Sequence, residues 1–111
     1  MKTDDSNIEQ LTDLEIITFY KESADKKSVG ILFKRYLTLV YGVSLKYLKE
    51  REAAQDMTMQ VFEKLLLNLK NQEVLNFKSW LFVLTKNECL MFLRKHSKRN
   101  GQTQSINDEG F

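Results

Sequence analysis

Glu52-Ala53-Ala54-Gln55-Asp56-Met57-Thr58-Met59-Gln60-Val61-Phe62-Glu63-Lys64-Leu65-Leu66-Leu67-Asn68-Leu69 is the stretch that decides the fold. Ala54, Met57, Val61, Leu65 and Leu69 recur at spacings of three and four, joined by Phe62 and Leu66, which is the period of a helix with one buried stripe. The spacing predicts a helix over residues 52–69. Its other side is polar: Glu52, Asp56, Met59 and Glu63 fall on one line, with Gln55 and Gln60 beside it. Such a line is either a plainly solvated face or, because a methionine is set among carboxylates, a partner surface.

The same period runs outward in both directions. Upstream, the polar break at residues 23–28 is followed by Leu32, Phe33, Tyr36, Leu39, Val40, Val43, Tyr47 and Leu48, a wide apolar arc that predicts one long central helix packed on more than one side. The charged run Lys49-Glu50-Arg51-Glu52 marks the corner after it. Further upstream, Thr12-Asp13-Leu14-Glu15 has capping-box spacing and predicts an accessory helix over residues 12–22, with Leu14, Ile17, Thr18 and Tyr20 on its buried stripe. Downstream, residues 71–76 break the pattern as a loop, and a last helix is expected over residues 78–95. That helix is apolar around most of its circumference, with Lys86, Asn87 and Arg94 on an outward flank.

Four helices in 111 residues, no proline and only four glycines describe an all-α domain: a compact bundle of three main helices plus a short N-terminal helix. Its expected limits are a flexible acidic N-terminus over residues 1–11, the helical domain over 12–97 and a polar linker or tail over 98–111. The formal net charge of +2 conceals a gradient. Residues 1–25 carry seven acidic against two basic residues, whereas Lys86, Arg94, Lys95, Lys98 and Arg99 face only Glu88 in the last helical stretch. The C-terminal part of the fold is therefore a basic surface.

No catalytic constellation stands out. Cys89 is the single cysteine and reads as a small core residue, consistent with a reducing, cytoplasmic setting. His96 lies in a basic run without metal-ligand companions, so neither a metal nor a cofactor is expected, and the chain is not read as an enzyme. No apolar run approaches the length of a membrane span. Phe77, Trp80, Phe82 and Phe92 beside a polar loop and a cationic flank could hold single-stranded nucleic acid; at helical spacing such residues are more often core than base platforms.

Set in order, Leu32-Phe33-Lys34-Arg35-Tyr36, Val40-Tyr41, Ala53-Ala54-Gln55-Asp56, Val61-Phe62-Glu63-Lys64, Phe77-Lys78-Ser79-Trp80-Leu81, Lys86-Asn87 and Leu93-Arg94-Lys95 resemble region 2 of extracytoplasmic-function sigma factors of the sigma-70 family. The resemblance runs from about Asp13 to Arg99. It implies that Gln55, Asp56, Met59, Gln60 and Glu63 dock on the β′ clamp helices of core RNA polymerase. It also implies that the loop captures a base flipped from the non-template strand of the promoter −10 element, nominating Asn71, Gln72, Glu73 and Asn76. Trp80, Lys86, Asn87, Arg94 and Lys95 would then touch the upstream part of that element. The domain would recognise and melt the element by differential binding, holding the unpaired strand more tightly than the duplex.

Three positions depart from the family's common residues: Met59 stands for glutamine, Gln60 for glutamate, and Met91 for an aspartate that would otherwise partner Arg94. Family members continue through a flexible linker into a second helical domain that reads the −35 element. Here the sequence ends at Phe111 after a polar tail, and a chain cut within that linker is expected in preference to a natural single-domain protein. An anti-sigma factor is a further implied partner. The rival reading is a regulator with a sigma-like fold that docks on polymerase or an anti-sigma partner without binding DNA.

Overall fold

The computed structural model describes residues 8–99, and every regular element among them is helical. Helix α1 (Asp13–Ser23) starts at the capping box: the Glu15 amide donates to Thr12 Oγ1 at 3.2 Å, and the Thr12 amide donates to Glu15 Oε1 at 2.9 Å. It stops at Ala24, whose backbone turns left-handed (φ 58°) and donates to the Tyr20 carbonyl. The buried stripe of α1 is Ile16, Ile17 and Tyr20. Leu14 and Thr18, expected inside, are exposed, because the helix is rotated to seat Ile16 at the centre.

The long central helix is two helices. Helix α2 (Lys26–Arg35) is capped by Asp25, whose Oδ1 accepts from the Lys27 amide at 3.0 Å. The chain then kinks at Tyr36 (φ −118°, ψ 16°) and continues as α3 (Leu37–Leu48). Neither proline nor glycine causes the kink. Side chains hold it: Arg35 forms an ion pair with Asp13 at 2.9 Å and also donates to the carbonyls of Glu9 and Leu11, while the Tyr36 hydroxyl donates to Asp13. The packed body thus already includes Ile8, which is buried, so residues 8–11 are not a loose extension of the acidic N-terminus. Residues 1–7 and 100–111, where most of the expected N-terminal and C-terminal segments fall, lie outside the described residues.

Helix α3 ends at Lys49, again left-handed (φ 63°), and α4 (Arg51–Asn68) leads into a single 3-10 turn (Leu69–Asn71). Helix α5 (Phe77–Arg99) closes the bundle and is longer at both ends than its apolar pattern suggests. Helix α3 packs against both α4 and α5, and small residues line these contacts: Ser44, Ala54, Thr58, Thr85 and Cys89 are buried. The buried hydroxyls of Thr58 and Thr85 donate to the carbonyls one turn back, Ala54 and Leu81, both at 2.8 Å, so neither is left unsatisfied. Phe33 against Phe62 and Tyr36 against Phe77, with ring centroids 5.1 and 5.5 Å apart, join α2 and its kink to α4 and α5.

Candidate functional site

The buried face of α4 is Ala54, Met57, Thr58, Val61 and Leu65. With these inside, helical geometry turns Glu52, Asp56, Met59 and Glu63 outward on one line. All four are exposed, as are Gln55 and Gln60 on either side. Among the described residues none of the three carboxylates forms an ion pair, so the line stands as uncompensated negative charge around a methionine that is 58% exposed. Leu67, 72% exposed, continues the same line by one more turn. The sequence reading missed it; its signal was the four-residue step from Glu63, hidden inside the apolar run Leu65-Leu66-Leu67.

Gln60 is not free. Its side-chain nitrogen donates to Glu88 Oε1 at 3.0 Å, and Lys64 Nζ lies 3.7 Å from the other oxygen of the same carboxylate. Glu88 is on α5 and only 6% exposed. In the sequence it is the lone acid of a basic stretch; in the fold it is a buried acceptor that ties α5 to α4.

The segment between α4 and α5 alternates inward and outward. Asn71, Gln72 and Glu73 are exposed, Val74 is buried, Leu75 is 80% exposed and Asn76 is exposed. Asn76 has a structural task beside any other: its Oδ1 accepts from the Ser79 amide at 3.0 Å, capping α5. An asparagine three residues before a serine at a helix start could have signalled this. Leu75 is the most exposed large apolar side chain among those described.

On α5 the buried line is Phe77, Leu81, Thr85, Glu88 and Cys89. Trp80, Asn87 and Arg94, seven residues apart, share one flank beside that line. Asn87 and Arg94 are exposed, while Trp80 is half-buried and stacks on Phe77 with centroids 6.0 Å apart, so the indole belongs in part to the core. Lys86 is half-buried and sits about 100° around the helix from Asn87, on the side of Phe82 rather than of Arg94. Phe82, Val83 and Met91 are exposed; Phe92 is half-buried and stacks on His96, with centroids 3.9 Å apart. The expected aromatic set thus divides: Phe77 is core, Phe82 is surface, and Trp80 and Phe92 lie between.

The two groups of nominated residues meet in an open cleft of about 570 Å³, lined by Gln60 from α4 and by Glu88, Met91, Phe92, Arg94, Lys95 and His96 from α5. Carboxylates thus line the outward face of α4, and Arg94 and Lys95 stand exposed on the later turns of α5. Cys89 is buried with Sγ 3.9 Å from Ser44 Oγ, and burial pushes its thiol up to about 11, well above the ordinary range. The hydrogen bond that the Tyr36 hydroxyl donates to Asp13 raises its pKa, with burial adding in the same direction. No group of three His, Cys, Asp or Glu side chains able to hold a metal occurs among the described residues, and none of the helices there is long and apolar enough to cross a membrane.

Residues 32–99 match the family Sigma-70 region 2. The chain is also 25% identical over 71 residues to the ECF RNA polymerase sigma factor SigM of Bacillus subtilis (strain 168), an alignment that covers 64% of this chain and 44% of that relative. The match therefore spans less than half the length of the curated relative. No solved structure matches the chain. Helices α3, α4 and α5 and the segment joining the last two lie wholly within the family match; α1 lies outside it.

Proposed function

The chain belongs to the Sigma-70 region 2 family, and from that premise we propose that it serves as a sigma factor domain that docks on the β′ clamp helices of core RNA polymerase and holds the unpaired non-template strand of the promoter −10 element. One observation carries this reading above all: the outward line of α4 holds uncompensated carboxylates around an exposed methionine, whereas Arg94 and Lys95 stand exposed on the later turns of α5. A protein partner with a basic or amide-rich groove suits the first surface, and a phosphate backbone suits the second. Gln55, Asp56, Met59, Gln60 and Glu63, extended by Leu67, form the docking face. Asn71, Gln72, Glu73 and Leu75 form the exposed rim of the base-capturing loop, with Asn87, Arg94 and Lys95 on the strand upstream of it.

Recognition and melting follow from differential affinity. A single strand offers unstacked bases to the loop and flexible phosphates to α5, and a duplex offers only the second, so binding free energy offsets an unstacking cost of about a few kcal/mol per step. The chemistry of RNA synthesis belongs to the polymerase, which places the domain in the bacterial cytoplasm. An anti-sigma factor would compete for the same α4 face.

The test is binding of the full chain to bacterial core polymerase, and to isolated β′ clamp helices, beside an Asp56→Arg/Glu63→Arg double variant. Binding by the parent and its loss in the variant is the expected result. A folded parent that fails to bind either partner would overturn the proposal; binding to polymerase without any preference for −10 strand DNA would leave the regulator reading in its place.

A further inference from the structure

Helix α1 lies outside the family match, yet it reaches the loop proposed to capture a base. Tyr20, buried in the last full turn of α1, donates its hydroxyl to the Leu66 carbonyl at 3.3 Å, where α4 is about to tighten into its 3-10 turn. This fixes the end of α1 against the end of α4. The next residue, Lys21, extends its ammonium to the carbonyl oxygen of Gln72 at 2.6 Å. Gln72 is the first extended residue after that turn (φ −111°, ψ 147°), so Lys21 grips the chain at the point where the loop begins.

We infer that Lys21 is a positioning residue for the base-capturing loop, which it orients through the Gln72 carbonyl. The peptide unit is planar, so fixing the direction of the Gln72 carbonyl fixes the Glu73 amide with it and sets the heading of the residues that follow. Two further anchors act at alternate positions: Val74 is buried, and Asn76 caps α5. With residues 72, 74 and 76 held, Glu73 and Leu75 are left to face outward. Without Lys21 the first anchor is lost, and Asn71, Gln72 and Glu73 sample other headings while the core is untouched. The inference rests on the loop reading given above for its consequence in recognition, but not for the brace itself.

Two measurements separate these. The first is amide hydrogen exchange on the full chain, which needs no ligand. Lys21→Met keeps the aliphatic stem and removes the donor; exchange of the Gln72 amide, which donates to the Leu69 carbonyl at 3.3 Å, rises severalfold, exchange in α3 is unchanged, and Lys21→Arg restores the parent pattern. The second is discrimination by the full chain bound to core polymerase among single-stranded DNA oligonucleotides that carry each of the four bases in turn at one −10 position. The ratio of best to worst dissociation constants falls by about threefold to tenfold in Lys21→Met, the scale of one partly exposed charge-assisted hydrogen bond, and recovers in Lys21→Arg. Affinity for the β′ clamp helices stays at the parent value in all three proteins. Unchanged loop exchange in Lys21→Met, or in Lys21→Gln as a second truncation, overturns the brace. Faster loop exchange with undiminished discrimination overturns its role in recognition. A parent without base preference overturns the loop reading itself, a result distinguishable from both.

Discussion

The Gln60 amide nitrogen of α4 donates to the buried carboxylate of Glu88 on α5 at 3.0 Å, and Lys64, one turn further along α4, approaches the other carboxylate oxygen at 3.7 Å. The helix with the outward carboxylates and the helix that carries Arg94 and Lys95 are thus joined by a polar contact at the cleft between them. Glu88→Ala removes the shared acceptor and is expected to lower stability by about 1–2 kcal/mol, since the two partners lie near the surface and can turn to water. Glu88→Gln keeps an acceptor for Gln60 and should lose less. Urea unfolding of the three proteins checks this; an alanine variant as stable as the parent would count against the contact.

Asn76 was nominated for DNA, and its side chain caps α5. The two tasks separate by substitution. Asn76→Asp and Asn76→Ser retain a capping oxygen and are expected to unfold within a few tenths of a kcal/mol of the parent, whereas Asn76→Ala loses about 1 kcal/mol. If Asn76 also reads a base, the aspartate and serine variants will change oligonucleotide preference while keeping parent stability. Preference that falls only in the alanine variant would assign the residue to the cap alone.

Much of the fold follows from local signals that act within a turn or two. Thr12 and Glu15 satisfy each other's backbone donors at three-residue range, so their box is legible without knowing what α1 touches. The outward line Glu52, Asp56, Met59 and Glu63 is legible for the same reason: it depends only on the helical period and on which side is buried. The kink at Tyr36 is not. The apolar arc runs through it unbroken, and what bends the chain is Asp13, twenty-three residues away, holding Arg35 and Tyr36 together. The grip of Lys21 on Gln72 spans 51 residues and ends on a backbone carbonyl, which no side-chain pattern marks.

Leu67 tests how far the α4 surface extends. It is 72% exposed, so Leu67→Gln should change stability by no more than about 0.5 kcal/mol. On the proposed docking face an exposed leucine beside Glu63 adds apolar contact to a charged line, and the same substitution should weaken binding to the β′ clamp helices by about threefold to tenfold. Unaltered affinity would end the face at Glu63.

Ala24 terminates α1 in the left-handed region (φ 58°), where a β-carbon is crowded by the following carbonyl. Glycine has no such carbon. Ala24→Gly is expected to stabilise the fold by about 1 kcal/mol once the greater freedom of glycine in the unfolded chain is set against the relieved crowding, raising Tm by about 4–8 °C. Destabilisation would mean that the alanine methyl makes a packing contact outweighing its strain.

Burial raises the Cys89 thiol to about 11 from an ordinary value of 9.0, which fixes both the sign and the window of a pH effect. The folded chain keeps the proton that the unfolded chain releases, so the contribution of the protonated thiol is fully present below about pH 9 and is lost as pH rises towards 11. The hydrogen bond from Tyr36 to Asp13 raises that phenol as well, and its contribution fades in the same alkaline direction. Urea midpoints measured between pH 8 and 11 should therefore fall, and fall less steeply in Cys89→Ala, with the difference between the two slopes reporting the thiol alone. At neutral pH the same burial leaves Cys89 protonated and shielded by α3, so iodoacetamide should label it at the rate of unfolding rather than at the rate of a free thiol. Rapid labelling of the folded chain, or equal alkaline slopes with and without the cysteine, would show that the contact between Cys89 and Ser44 opens in solution.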